Sequence, residues 1–522
     1  MKEPVSIFND VIGPVMIGPS SSHTAAGARI GYFIRRMLND QPERVTFTFS
    51  TNGSLADCHE PQGTDMGLAG GLLGMAMDDP AMECSPQLAA EAGIIISYET
   101  NDEPVDHPKI YDFAAEGGGR KMTGQAISVG GGMIEFRKIN GYPVSMAGGF
   151  YETLVFAETG DTDQLNEVES ALGGADGLLK KLCSGDGKEI LYILETEQVF
   201  DPDGLAENCP AVKDVISLDP VLPVHSFHTY AGLFNTAEEV LRMASERKME
   251  LWEIAAAYES ARGRMSPDEV FAMMGNLADV MERTLAAVRD HQKEYADRIL
   301  GPQAYKLSGY NSPLLPPFIK EMISCITYFM EAKSSMEVIV AAPTCGSSAV
   351  LPGTLISAAE NLGGGREELI KGLLAAGFVG VIIAEHSTFS AEIGGCQAEC
   401  GAASAMAAAG LAQLMGRSAE EALSAASMAL QNIMGSVCDP VAGRVEVPCL
   451  GKNVQSGMNA LASANLAAAG FDAVIPFDEA VTAFDEAGRK IAPELRNTCR
   501  GGLSITPASL AIEKQLKEFG HR

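Results

Sequence analysis

The chain has 522 residues, 46% hydrophobic and 20% charged, which is the composition of a folded protein of several domains and excludes disordered, collagen-like and low-complexity chains. Its 38 Lys and Arg stand against 68 Asp and Glu, a net charge of −30, so most of the surface repels a nucleic-acid backbone or an anionic bilayer, while a small anion needs only a few local donors. Eleven cysteines follow a start, MKEPVSIFNDVIGP, that does not read as a signal peptide. The expectation is a cytoplasmic protein whose thiols are buried or bind metal rather than forming a disulfide framework.

The first feature along the chain is IGPSSSHTAAGARIGYFIRRM (17–37). Gly18 and Pro19 break the backbone, Ser20, Ser21, Ser22 and Thr24 offer hydroxyls, and His23 adds a titratable ring. Ile30, Phe33, Ile34 and Met37 then recur at helical spacing. A helix N-terminus with unpaired N–H groups suits a carboxylate, and an ordinary serine N-cap explains the same residues. RVTFTFS (44–50) alternates Val45, Phe47 and Phe49 with polar residues, the period of a half-buried strand; GIIISY (93–98), MIEFRK (133–138), TLVFA (153–157) and EILYILE (189–195) are further strands. SVGGG (128–132) gives the backbone freedom either for a plain turn or for approach to a ligand.

Between Phe200 and Val224 the sequence turns rich in Pro, Asp and Gly, a linker that sets a boundary near 225. Beyond it the periodicity is helical: Ser266 precedes Pro267 with Glu269 at N3 as a capping box, and Val270, Met273, Leu277, Met281 and Val288 form an apolar face. The apolar run Gly372–Ala384 spans 13 residues, short of the ~20 of a membrane helix, and reads as a buried helix. The Ala- and Gly-rich GAASAMAAAGLAQLMG (401–416) suits a tightly packed helical core. The predicted architecture is an α+β N-terminal domain, 1–224, followed by an all-α catalytic domain, 225–522.

Three cysteines fall in Gly- and Pro-punctuated loops rather than in mid-helix: Cys396 in GGCQAECGAAS, and Cys438 and Cys449 in CDPVAGRVEVPC. They are either three buried thiols or a metal site. No His-x-x-x-His or paired Cys-x-x-Cys offers a zinc alternative, although Cys400 could complete a four-cysteine zinc site. Three thiolates on a 4Fe-4S cluster, which normally takes four, would leave one iron open as a Lewis acid able to assist departure of a hydroxyl group as water.

These residues together resemble the iron-sulfur-dependent L-serine dehydratase (L-serine ammonia-lyase) family, with a β portion followed by an α portion in one chain. The resemblance covers most of the length and rests on SIFNDVIGPVMIGPSSSHTAAGARIG, GSLA followed by QGTDMGLAGGLLGM, SVGGGMIEF, AAPTCGSSAVLPGTL (341–355), GGCQAECGAASAMAAAG (394–410), CDPVAGRVEVPCLGKN (438–453) and ELRNTCRGGLSITP (494–507). It implies Cys396, Cys438 and Cys449 as ligands of a 4Fe-4S cluster, and an N-terminal domain like one in 3-phosphoglycerate dehydrogenase. It also implies Ser20, Ser21, Ser22, His23 and Thr24 as pocket residues, joined by Pro343, Thr344, Cys345, Gly346 and Ser347 of a PT-x-G loop. Residues of about 140–220 stand where some relatives carry a small regulatory domain and show only a weak βαβ-like pattern.

The implied reaction is elimination of water from L-serine to pyruvate and ammonia, with the substrate carboxylate at Ser20–His23 and His23 as general base, His59 or a deprotonated Cys345 standing behind it. Two departures bear on this. The family's GHGTD reads Pro61, Gln62, Gly63, Thr64, Asp65 here, and Gln cannot act as a base. The end, KEFGHR, lacks the cysteine that in some relatives reaches back to the cluster. The rival readings are elimination from threonine or cysteine, a non-catalytic iron-sulfur sensor and a structural zinc protein. A small amino acid, and a second copy of the chain in a homodimer, are the expected partners, with no nucleic acid and no membrane.

Overall fold

The computed structural model describes residues 4–520 except 175, 185–186, 229–232 and 291–292; the last residues of KEFGHR lie outside them. The architecture is α+β in the N-terminal part and helical in the C-terminal part. In the N-terminal part, β2 (Arg44–Ser50), β3 (Ile95–Asn101), β4 (Ile110–Gly117), β5 (Arg120–Gly130), β6 (Met133–Ile139) and β7 (Tyr142–Met146) form one sheet in the order β3-β2-β4-β5-β6-β7. Only the β2–β3 pair is parallel. The alternation read in RVTFTFS is real: Val45, Phe47 and Phe49 are fully buried, and the intervening threonines are half-buried.

Two helices, Ala26–Leu38 and Thr64–Leu73, supply the rest of this core. Ile30, Phe33, Ile34 and Met37 all point inward, and Phe33 meets Phe136 of β6 at 5.4 Å between ring centroids. The helices touch backbone to backbone, which only glycine permits: a methyl group on Gly67 would stand 2.0 Å from the Thr24 carbonyl oxygen. That contact fixes the start of the first helix, and hence the Ser20–Thr24 loop, against the second.

A second sheet takes the order β11-β8-β10-β9, from β8 (Tyr151–Glu158), β9 (Gly177–Cys183), β10 (Glu189–Thr196) and β11 (Val212–Leu218). With the helix Thr162–Leu172, β8 and β9 make a βαβ unit split by β10, which pairs antiparallel with both. The linker expected over Phe200–Val224 is therefore not wholly irregular: it contains β11, paired antiparallel with β8, and the Pro, Asp and Gly residues flank that strand.

The helical part begins at Ala237. Ser266 caps its helix as read, with Glu269 N–H donating to Ser266 Oγ at 3.2 Å and Ser266 N–H to Glu269 Oε2 at 2.8 Å. Val270, Met281 and Val288 are buried there, whereas Met274 and Ala278 take the inward places expected of Met273 and Leu277. The run at Gly372–Ala384 belongs to a 21-residue helix, Arg366–His386, long and apolar enough to cross a membrane by length and composition alone; 78% of its most apolar stretch is buried inside the fold.

The N-terminal residues do not stay with the α+β part. The turn Ile7–Val11 lies on Arg366–His386, where a methyl group on Gly380 would stand 2.2 Å from Val11 Cγ1, and Val5, Ile7, Phe8, Val11 and Ile12 join the helical core. Glu259 accepts from Ser6 Oγ at 2.5 Å and from Ile7 N–H at 2.8 Å. Then β1 (Val15–Met16) pairs antiparallel with β12 (Ile339–Val340). The two parts are thus interlocked, and the loops that follow β1 and β12 are held side by side.

Candidate active site

The chain leaves β1 through Gly18–Pro19 into a π-turn, Ser21–Ala25, that continues as the helix Ala26–Leu38. Ser20 sits at the N-cap position without a side-chain cap bond. Its hydroxyl instead lies 3.0 Å from His23 Nδ1, with Ser22 Oγ 3.2 Å from the same nitrogen and Cys58 Sγ 3.4 Å from Nε2. The His23 and Thr24 N–H groups both donate to the Ser20 carbonyl. These bonds close the first turn and take up the His23 and Thr24 donors within the loop. Ser128 Oγ of the SVGGG segment donates to the Ser22 carbonyl at 2.8 Å, and a methyl group on Gly131, at φ +60°, would approach the Asp10 and Pro343 carbonyls at 3.3 Å, so these glycines serve loop packing.

His23 is wholly buried. Burial first, and then the positive charge of Lys109, lower its pKa from 6.5 to about 3, so the ring is neutral at pH 7. Lys109 in turn makes a buried ion pair with Glu392 of the helical part, 2.8 Å from Nζ to Oε2. Burial opposes the Glu392 charge, yet Lys109 and His23, with hydrogen bonds from Lys109 and Asn497, hold its carboxyl at about 2. Asn497 Nδ2 donates to Glu392 Oε1 at 2.8 Å and to Gln62 Oε1 at 3.1 Å, while Gln62 Nε2 donates back to Asn497 Oδ1 at 2.9 Å. Gln62 is thus a fully buried amide partner across the junction of the two parts. His59 does not take the place of the missing histidine beside His23: its Nδ1 lies 2.6 Å from Asp65 Oδ1, and its ring packs on Phe49 and Tyr98.

The second loop, after β12, is brought to the first by a bond from the Cys345 N–H to Ser21 Oγ at 3.2 Å. Cys345 Sγ lies 3.3 Å from Met16 Sδ, and burial pushes its thiol up to about 12; at neutral pH it is a thiol, not the deprotonated base expected of it. Thr344 Oγ1 donates to Glu399 Oε1 at 2.7 Å and lies 3.2 Å from Ser347 Oγ. Gly346 leaves room for Glu399, whose carboxylate oxygen would be 2.7 Å from a methyl group there. Burial raises Glu399 to about 7.

The three cysteines come from three segments behind this loop. Gly395, at φ +72°, turns the chain into Cys396, and Gln397 ties that turn to the next segment by accepting from Gly435 N–H at 2.8 Å and donating to the Phe484 carbonyl. Cys438 is held between backbone bonds to Leu495 and Asn497. Cys449 is the first residue of the helix Cys449–Ala468 rather than a loop residue, and Asn453 Nδ2 bridges its carbonyl to that of Gly346 at 2.8 and 2.7 Å. All three are buried and outside any disulfide, and Cys396 and Cys438 pack together with Cys400. Burial opposes the charge of Lys452, but Cys396, Cys438, Asp439 and Cys449 outweigh it and raise the lysine's pKa. Among the described residues no three His, Cys, Asp or Glu side chains are gathered around a point that a single ion could occupy.

Ser20–Thr24, Thr344–Ser347 and the three cysteines are therefore neighbours, and His59, bonded to Asp65, lies within electrostatic reach of His23. The sequence reading did not single out Lys109, Glu392, Asn497 or Glu399. The last two lie inside motifs it had marked; Lys109, in NDEPVDHPKIYDF, and Glu392, in HSTFSAEIGG, stand among other polar residues and carry no local signal.

A family model described as the serine dehydratase alpha chain matches residues 246–504. The chain is 35% identical over 289 residues to the probable L-serine dehydratase alpha chain of Bacillus subtilis (strain 168), covering 54% of this chain and 95% of that one. It is 40% identical over 152 residues to the probable beta chain of the same organism, covering 29% and 67%. The L-serine dehydratase of Streptomyces coelicolor aligns over 519 residues at 25% identity, covering 96% and 98%. With both portions matched in order and the loops that carry the motifs drawn into one buried site, the chain belongs to the L-serine dehydratase family.

Proposed function

We propose that this chain converts L-serine to pyruvate and ammonia by α,β-elimination of water, with a 4Fe-4S cluster held by Cys396, Cys438 and Cys449. The observation that carries this reading is the meeting of the Ser20–Thr24 loop, the Thr344–Ser347 loop and three buried free thiols, joined by Cys345 N–H to Ser21 and Asn453 to Gly346. The donor set fits a cluster: the thiols are reduced, come from separate segments, and have Lys452 and Lys333 within electrostatic reach. Each cysteine on a cluster binds a different iron, so the sulfurs need not converge on one point. When bound, an iron without a cysteine ligand supplies Lewis acidity toward the substrate's β-hydroxyl.

The chain's own residues bind, orient and move protons. Ser20, Ser21, Ser22, Thr24, Thr344, Gly346 and Ser347 provide hydroxyls and backbone donors around the substrate. His23, neutral in its buried loop, accepts the α-proton at its unprotonated ring nitrogen once the hydroxyl or thiol that now contacts that nitrogen gives way, and Glu399 on Thr344 is the second group that exchanges a proton near pH 7. Elimination leaves 2-aminoacrylate, which tautomerises and hydrolyses to pyruvate and ammonia.

Pyruvate release from L-serine by anaerobically purified protein, repeated after exposure to air, tests the reading. Turnover that is lost in air is expected. Iron-loaded protein that releases no pyruvate from L-serine overturns the substrate assignment, and L-threonine and L-cysteine in the same assay identify the substrate of a related lyase.

A further inference from the structure

A cleft of 460 Å³ opens between the two parts of the chain, walled by Pro19, Gly63 and Tyr98 on one side and by Lys333, Met336 and Arg444 on the other. Two cations line it. Arg444 Nη2 is engaged by Asp297 Oδ1 at 2.5 Å. Lys333 is only 1% exposed, and among the described residues its Nζ has one hydrogen-bond partner, the Val445 carbonyl. An ammonium carries three donors; charged neighbours lie within electrostatic reach, but none of them hydrogen-bonds the amine, and a buried ammonium gains most from an anion that does.

Five carboxylates also line the cleft; Glu446, the one that acts on Lys333 electrostatically, has its oxygens bonded by the Ile299 and Leu300 N–H groups at 2.9 and 3.0 Å. Lys333 is within electrostatic reach of Cys449, Glu446, Cys345 and Glu399, so the amine stands between the cleft, where Glu446 lies, and the site described above. The helix start at Ser20–Thr24, the other place for a carboxylate, offers neutral hydroxyls and N–H groups, two of them, on His23 and Thr24, bonded to the Ser20 carbonyl, but no cationic side chain.

We propose that Lys333 is the residue that receives the carboxylate of the amino-acid substrate, at the inner end of this cleft. The assignment rests on the reading of the chain as an amino-acid lyase and adds to it the cation that recognises the substrate's acid group. A charge-assisted bond to a buried ammonium is lost when the side chain is made neutral, and the loss falls on binding rather than on the chemical step.

The test compares anaerobic holoenzyme with Lys333→Met and Lys333→Arg, using L-serine and L-serinamide, which has no carboxylate. Expected are a rise in KM for L-serine of about 10–100-fold in Lys333→Met, a kcat changed several-fold at most, substantial rescue by Lys333→Arg, and calorimetric binding of L-serinamide that is the same in all three. Unchanged KM for L-serine in Lys333→Met, or equal weakening of both ligands, overturns the proposal. Should Lys333→Met fail to fold, the unaltered protein decides: L-serine must bind at least 10-fold tighter than L-serinamide, and equal affinity overturns the assignment. Carboxylate-dependent binding without turnover would leave the anchor standing and sink the lyase reading.

Discussion

Glu392→Gln removes the charge that Lys109 faces while keeping the shape of the side chain. Lys109 and Glu392 have side-chain exposures of 0% and 2%, so solvent cannot replace the lost partner. The fall of the Glu392 carboxyl from 4.5 to about 2 corresponds to about 3 kcal/mol, at the low end of the roughly 3–5 kcal/mol found when one member of a buried pair is removed. Because the folded-state pKa is depressed, this stabilisation is fully present above the ordinary carboxylate pKa and is lost as pH falls through the folded value. The gap between wild type and variant should therefore be flat from about pH 5.5 to 8 and shrink on further acidification. Urea unfolding followed by circular dichroism, with Trp252 fluorescence reporting the helical part, measures it. Replacing both partners with apolar residues should cost less than Glu392→Gln alone, since no charge is then stranded. A Glu392→Gln protein within about 0.5 kcal/mol of wild type at pH 7, or a gap that widens on acidification, would refute the reasoning.

Three further outcomes are expected. Serine at Cys396, Cys438 or Cys449 should abolish iron binding and the brown colour of anaerobic protein while Cys400→Ser retains both; equal loss in Cys400→Ser would remove the distinction among these thiols. Gln62→Ala leaves the buried Asn497 amide without its reciprocal partner and should cost about 1–3 kcal/mol in unfolding experiments; unchanged stability would show that the pair does not hold the two parts together. Gly67→Ala drives a methyl group to 2.0 Å from the Thr24 carbonyl and should destabilise by about 1–3 kcal/mol or more, and thermal melting within 1 °C of wild type would mean that the two helices separate freely.

What the sequence made legible was local. Strands with one buried and one exposed face, such as β2, announced themselves by period two, and the segments around Ser20–Thr24, Thr344–Ser347 and the three cysteines were contiguous motifs. β9 and β11 were harder: GLLKKLC is mostly exposed or half-exposed, and VKDVISL lies among Pro, Asp and Gly residues. The network behind His23 was illegible for a different reason. Gln62 and Asn497 are separated by 435 positions, and Lys109 and Glu392 by nearly 300, so no spacing rule connects them. Cys449 was found as a residue but assigned to a loop, because its position at the head of a helix depends on the packing of Asn453 against Gly346.

The seating of the N-terminal turn in the helical core also constrains the order of events during synthesis. Val5 N–H donates to Glu385 Oε1 across 380 positions. At about 5–20 residues per second, the segment that begins at Val5 leaves the ribosome roughly 20–80 seconds before the helix that covers it. Through that interval Ile7, Phe8, Val11 and Ile12 are an apolar stretch without their native cover. The connectivity of this fold thus leaves an apolar segment uncovered while several hundred further residues are made, the kind of transient exposure that chaperones act on.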